Sequence, residues 1–198
     1  LKYKKCKVAL LSSVTIKPIS PILSSYAFSM KLDLDVFVGD YNVIEPYAIN
    51  KDSDLVKFNP DVIFIYLDSR DVLAKAIDTY LDLDNPSITQ VANSTISRIT
   101  SLISSLQKNC ESSVVISGFL YPENLSLGIM DNLQTNSQKS IIDDINSKLI
   151  AKIKDITNSY FFDFNQMMFK FGSSKLFDNR MWCHGKMPFS GEGLVQLS

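Results

Sequence analysis

Apolar positions along the chain follow two alternating rhythms: short, nearly continuous runs and longer stretches at helical spacing. Cys6 to Ser12 (CKVALLS) is almost wholly apolar and is followed by polar residues and Pro18, the pattern of a strand covered on both faces. Ser20 then fits the N-cap of a helix over 21–30 with Pro21 at its first position. Leu32, Leu34 and the run 35–38 form a second strand, ended by Gly39 and Asp40. Asp61 to Leu67 (DVIFIYL), reached through Asn59-Pro60, is β-branched and aromatic and reads as a third strand. Residues 71–81 are helical in composition, and 88–108 place Val91, Ala92, Ile96, Ile99, Leu102 and Leu106 on one helical face. Ser113 to Gly118 supplies a fourth strand. The helical period returns over 134–156 through Ile141, Ile145, Leu149 and Ile153, and Tyr160 to Phe164 is a fifth strand.

Strand and helix therefore alternate throughout, with no repeat or linker. That order predicts one α/β domain over 1–198 in three layers. A five-stranded, mainly parallel sheet would carry helices on both faces, because parallel neighbours need right-handed crossovers. Ligands of such sheets sit beyond the carboxyl ends of the strands, where the strand order reverses. The residues to watch are Ser12, Ser13 and Thr15 after strand one, Gly39 to Asn42 after strand two, and Asp68 to Asp71 after strand three. Gly118 to Asn124 follow strand four, and Asp178 to Gly193 follow strand five and would return to the same edge.

Length and composition narrow the class. The chain has 198 residues, 45% hydrophobic and 21% charged, which excludes disordered and low-complexity classes. Lys and Arg number 20 against 21 Asp and Glu, so no net field attracts nucleic acid or an anionic membrane. No apolar run approaches the roughly 20 residues of a membrane span. The basic start and the run to Ile16 imitate a signal peptide, but Lys17-Pro18 interrupts it and no small-x-small cleavage site follows. Cys6, Cys110 and Cys183 are an odd count without C-x-x-C, which favours free thiols, a reducing compartment and a cytoplasmic location, and no metal site is visible. The chain begins with Leu and stops in an apparent helix, as part of a longer protein would.

Four motifs remain. Asp33-Leu34-Asp35 and Asp82-Leu83-Asp84 imitate the aspartyl nucleophile of haloacid dehalogenase phosphatases. The first begins a strand instead of ending one, and the second follows a helix, so both read as surface charge. His184, the only histidine, would have to serve any Ser-His or Cys-His chemistry, with Cys183 the weaker nucleophile. Ser190 suits a helix N-cap with Glu192 in the first turn, and that N-terminus would also receive an anionic group. In Asp68-Ser-Arg-Asp71, Arg70 would pair with either carboxylate or hold a carboxylate or phosphate of a ligand.

The order of these pieces resembles the SGNH (GDSL) hydrolases, which are flavodoxin-like α/β proteins. Leu11-Ser-Ser-Val-Thr15 falls where that family has Gly-Asp-Ser-Leu-Thr, which implies Ser13 as nucleophile. Gly39 falls at the oxyanion-hole glycine. Leu67-Asp-Ser-Arg-Asp71 occupies the Gly-x-Asn-Asp block with Arg70 in place of the asparagine, and Met187 stands where the histidine of the last block would be. More specifically, the chain is similar to the N-terminal domain of FkbH-like proteins through Val8 to Thr15, Val38-Gly-Asp-Tyr41, Phe58-Asn-Pro-Asp-Val62 to Asp71, and Asp178 to Ser190. Such proteins continue into a haloacid dehalogenase (HAD) domain that lies outside these residues.

The resemblance implies loading of a glyceryl or other acyl unit onto an acyl carrier protein for polyketide or surface-polysaccharide synthesis. It implies no cofactor in this chain beyond the phosphopantetheine arm of that carrier as a ligand. Three readings follow from it. In the first, the domain binds an anionic or acyl ligand through a degenerate hydrolase site of Ser12, Ser13, Thr15, Gly39, Asp68, Arg70, Asp71 and Ser190. In the second, it is a serine esterase or acyltransferase with Ser13 as nucleophile, His184 as base, Asp178 or Asp71 as the partner of His184, and Ser13 N–H, Gly39 N–H and Arg70 as oxyanion donors. In the third, it only docks the HAD domain.

Overall fold

A computed structural model describes residues 3–78, 80–82 and 85–198. Leu83 and Asp84 of the second Asp-Leu-Asp tripeptide, and Leu1 and Lys2 of the basic start, lie outside the described residues. Five strands form the sheet: β1 (Lys4–Ser12), β2 (Leu32–Val38), β3 (Val62–Tyr66), β4 (Ser113–Ser117) and β5 (Ser159–Phe162). Their order is β2-β1-β3-β4-β5 and every pairing is parallel, so the expected α/β sheet is present and wholly parallel. The order reverses between β1 and β3, which makes the gap beyond Ser12 and Tyr66 the switch point.

Helices cover both faces. They are α1 (Ile19–Ser29), α2 (Ile44–Ile49), α3 (Asp54–Phe58), α4 (Ser69–Val72), α5 (Ala74–Asp78), α6 (Asn85–Asn109), α7 (Gln138–Lys154), α8 (Phe164–Phe171), α9 (Ser173–Leu176), α10 (Asn179–Gly185) and α11 (Gly191–Leu197), with 3-10 turns at Tyr80–Asp82 and Gly128–Leu133. Strand alternation sorts the core into two halves. Ala9, Leu11, Ile63 and Ile65 pack on the face covered by α6 and α7, with Ile99, Ile103, Ile145 and Leu149 fully buried or nearly so. Leu10 and Tyr66 point the other way and join Ile19, Phe164, Phe189 and Leu194. On that face Tyr66, Phe164 and Phe189 pack ring on ring at centroid distances of 5.1 to 5.8 Å.

The expected strands agree with the observed ones to within two residues, while the helices differ in instructive ways. The first helix starts at Ile19 behind Pro18, so Ser20 is not its N-cap. Pro21 still falls in the first turn, where no N–H is needed. In the segment 71–81, of which Thr79 lies outside the described residues, the chain forms the end of α4, then α5 and a 3-10 turn, and the helix expected over 134–156 starts only at Gln138, capped by Ser137. Residues 44–58 hold α2 and α3, which periodicity did not reveal. α3 is nevertheless framed locally by the Ser53 N-cap and by Asn59 in the left-handed region at φ 50 before Pro60. Asp33 and Asp35 lie exposed on the edge strand β2, as surface charge should. Cys6, Cys110 and Cys183 are free thiols. Among the described residues no helix is long and apolar enough to cross a membrane.

Candidate functional site

Ser12 and Ser13 end β1 at the switch point and have different duties. Ser12 Oγ accepts from Val14 N–H at 3.0 Å, closing its own turn, and its carbonyl accepts from Asn42 N–H at 3.1 Å. Ser13 N–H donates to the Tyr66 carbonyl at 3.0 Å and so extends the β1–β3 ladder by one residue. Ser13 Oγ accepts from Asp68 N–H at 3.0 Å, and the residue is only 2% exposed. It also lies close enough to the Asp71 carboxylate for its hydroxyl to lower that group's pKa. It is therefore Ser13 that reaches across to the end of β3.

Asp68 organises the far side. It is the N-cap of α4, accepting from Arg70 N–H at 2.9 Å, as an aspartate before a helix commonly does. The same carboxylate takes the Arg70 guanidinium in a two-pronged grip, Nε at 2.9 Å and Nη2 at 2.8 Å, and receives the Tyr66 hydroxyl at 3.2 Å. Burial, followed by the Asp68 charge, pushes the Tyr66 phenol well above its ordinary value, so it stays neutral and donates. Arg70 thus pairs with Asp68 rather than Asp71, and its guanidinium lies 3.6 Å from the centroid of the Trp182 ring.

Asp71 has no such clamp. Burial first, and then the neighbouring Asp68 charge, raise its pKa above the ordinary carboxylate value, while Lys186, Arg70 and the Ser13 hydroxyl pull it back. A folded-state pKa above the unfolded one means that the native protein holds the proton more tightly. Stability is then lost as pH rises from the unfolded value through the folded one, and the loss is complete above it. Asp71→Asn should accordingly be more stable than the parent at pH 7 and lose that advantage below about pH 4, the ordinary carboxylate value. Thermal melts of both proteins across that range check this; a difference that does not change with pH removes Asp71 as its source.

The remaining candidates are dispersed around this centre. Gly39 N–H donates to the Leu10 carbonyl at 2.9 Å, so it completes the sheet rather than facing a ligand. Asp178 caps α10, accepting from the N–H groups of Arg180 at 2.9 Å and Met181 at 3.2 Å. His184 sits on α10 with an exposed side chain, and the structure brings it to neither Ser13 nor Asp178. Met187 is half-buried after α10. Ser190 caps α11 as expected, accepting from Gly193 N–H at 2.9 Å and donating to the Lys175 carbonyl, away from Ser13. Thr15 joins the two ends of the chain: its hydroxyl donates to the Gly185 carbonyl at 2.8 Å and its N–H to the Lys186 carbonyl at 2.9 Å.

Beside Arg70 opens a cleft of about 420 Å³. Asp68, Ser69 and Arg70 form one wall. Leu120, Tyr121 and Glu123 after β4 form the second, and Met168, Ser173, Phe177 and Asn179 form the third. Ser69 ties the first two walls together, donating to the Leu120 carbonyl at 2.9 Å and accepting its N–H at 2.8 Å. Burial and the hydrogen bond to Asp143 push the Tyr121 phenol up to about 12, so the cleft meets it as a neutral group. Position after strand four signals Tyr121 and Glu123 in the sequence. Asn179 and Trp182 fall in the segment after strand five that the sequence returns to the same edge, whereas Ser173 carries no signal, because α8 and α9 are too short to show a period.

Comparisons with known proteins agree with this geometry. The model of the family described as FkbH, N-terminal domain, matches residues 7–198. A search of curated proteins gave no match. Among solved structures, the chain is similar to the N-terminal part of the protein BF1531 from Bacteroides fragilis, which contains a phosphatase domain and was crystallised with Mg. The TM-score is 0.79 at 18% identity, over 98% of this chain and 49% of that one. The chain thus spans about half the length of that relative. It is also similar to the acetylxylan esterase Axe2 from Geobacillus stearothermophilus (TM-score 0.56, 15% identity, 100% of this chain and 93% of that one) and to the acetyl xylan esterase AlAXEase (TM-score 0.56, 15% identity, 96% of each). At these identities the likeness to solved structures establishes the SGNH-type fold alone.

Proposed function

Because the chain belongs to the FkbH N-terminal domain family, we propose that it is a binding domain with a degenerate SGNH hydrolase site, which holds an acyl or glyceryl unit on the phosphopantetheine arm of an acyl carrier protein. The chemistry on phosphate would fall to a HAD-type domain of the same cytoplasmic protein, and the phosphatase domain of the Bacteroides relative supports that division. One observation carries the reading: the two backbone donors that would build an oxyanion hole are already committed, and the third, the Arg70 guanidinium, is held at Asp68 through Nε and Nη2. Ser13 N–H serves Tyr66, Gly39 N–H serves Leu10, and Arg70 is clamped by Asp68. Acyl transfer needs donors preorganised for the charge that develops on the carbonyl oxygen, and their loss removes the largest single contribution to such catalysis. The histidine position of the last block holds Met187, and His184 faces solvent.

The cleft beside Arg70 is where the ligand fits. Its volume lies within the roughly 300–1,000 Å³ of small-molecule sites. Its walls are apolar at Leu120, Met168 and Phe177 and hydrogen-bonding at Tyr121, Ser173 and Asn179, which suits an amide-bearing chain with a small acyl end.

Labelling with a fluorophosphonate, read by intact mass, tests the reading, since only an activated serine reacts quickly. The parent protein should take up no label, and Ser13→Ala should behave identically. Stoichiometric labelling lost in Ser13→Ala would overturn it in favour of a serine acyltransferase. One observation favours that second reading: Asp71, whose pKa is raised by burial and pulled back by the nearby Ser13 hydroxyl, would stand in for the missing histidine as base.

A further inference from the structure

Helix α10 is odd in its setting. None of its residues is buried, yet it is fastened beside the most buried polar groups of the switch point. Its fastenings are few and can be named. Arg70 stacks on Trp182 at 3.6 Å, and Lys186 Nζ lies 4.4 Å from the centroid of the same ring. Thr15 holds the Gly185 and Lys186 carbonyls. At the other end Asn179 Nδ2 donates to Glu123 at 3.1 Å, and Asp178 N–H donates to the Pro188 carbonyl at 2.8 Å. A seven-residue helix with no buried residue, which reaches the core through the partly buried Trp182, has little stability of its own and is kept in place by such ties.

Close to these ties, with Lys186 near enough for its charge to act on Asp71, lies a polar pair without a full set of partners. Ser13 is almost completely shielded, and Asp71 Oδ2 is buried without a hydrogen-bond partner among the described residues. A shielded carboxylate oxygen is costly to leave unpaired and is seldom kept without a use. Arg70 connects this pair to the outside, since it lines the cleft and also forms the stack on Trp182.

We propose that α10 is a lid over the Ser13–Asp71 pair, latched by the stack of Arg70 on Trp182, and that lifting it presents Asp71 Oδ2 to a hydroxyl or amide N–H donor of the ligand. A ligand in the cleft that draws Arg70 towards itself would release the latch, so cleft occupancy and access to Ser13 are coupled. The inference goes beyond the function proposed above and holds for either fate of Ser13, catalytic or not.

Two measurements test it without ligand or activity. In a Cys183→Ser background, Ser13→Cys puts a thiol under the lid, and peptide mapping separates its alkylation from that of Cys6 and Cys110. Adding Trp182→Ala should speed alkylation at position 13 by about tenfold, the population shift that follows from losing one desolvated cation–π contact, whereas Phe169→Ala, remote on α8 and 94% exposed, should leave it unchanged. Equal rates with and without Trp182→Ala overturn the lid. Because Trp182 is the only tryptophan, its emission in the otherwise unaltered chain reports the latch directly. Arg70→Gln should shift that emission to the red and increase its quenching by acrylamide, and an unchanged spectrum also overturns the proposal. If labelling and emission respond as stated while a pantetheine ligand fails to bind, the lid stands and the binding function falls.

Discussion

Asp68→Ala is expected to cost about 3 kcal/mol of stability, the lower end of the 3–5 kcal/mol typical of removing one member of a buried ion pair. The lower end applies because the Arg70 side chain is 33% exposed, although that of Asp68 is only 5% exposed. Three losses coincide in this variant. Arg70 loses the carboxylate that grips it and keeps only the more distant charge of Asp71, the Tyr66 hydroxyl loses its acceptor, and α4 loses its N-cap. A double-mutant cycle separates the pair from the rest: Asp68→Ala combined with Arg70→Met should cost clearly less than the two single changes added together, because no uncompensated charge remains. Urea unfolding at pH 7 measures all four proteins. Strict additivity would mean that the clamp is not an energetic unit and that Asp68 does not hold Arg70 back from a substrate oxyanion.

Gly193→Ala is the second large effect, and here the cause is space. A Cβ at this position would lie 2.0 Å from the Leu176 carbonyl oxygen and 2.8 Å from its carbon, both backbone atoms that cannot turn aside. The close approach arises because α11 packs against the end of α9, where Ser190 N–H donates to that same Leu176 carbonyl at 2.9 Å. Gly193→Ala should therefore destabilise by about 3 kcal/mol or more, the upper range for overpacking. Gly191, two residues earlier on the same helix, meets nothing within 4 Å. Gly191→Ala should be neutral or gain up to about 1 kcal/mol from helix propensity. Thermal melts of the two variants decide the point, since equal behaviour would show that α11 does not press on α9 as the geometry says.

The contrast between those two glycines shows where sequence reading stops. In Ser190-Gly-Glu-Gly193 the N-cap is legible, because the preference of serine for that position and its bond to the third N–H are local. Which glycine is tightly packed depends on α9, whose four residues give no periodic signal. The same limit explains α2, α3, α8 and α10, all of eight residues or fewer. The strands, and the long helices α6 and α7, could be read because enough residues repeat for the period to stand out. Ser13, Asp68 and Arg70 could be placed on one edge for a comparable reason: a parallel sheet brings its strand ends together whatever the loops do. Their hydrogen bonds could not be read. Whether the Ser13 and Gly39 N–H groups are free or used by the sheet depends on how far the ladders run, and that is set by tertiary pairing.

The class of fold, the strand ends on which ligand chemistry would be built and the family resemblance were all legible in the residues, because all three rest on local pattern and on order along the chain. That Arg70 answers to Asp68, that His184 is exposed while Ser13 is buried, and that Trp182 stacks on Arg70 emerge from the folded chain alone. Those outcomes depend on contacts such as the one from Thr15 to Gly185, across 170 residues of chain. No local preference encodes such a contact; it exists only once the sheet has brought the two ends of the chain to the same place.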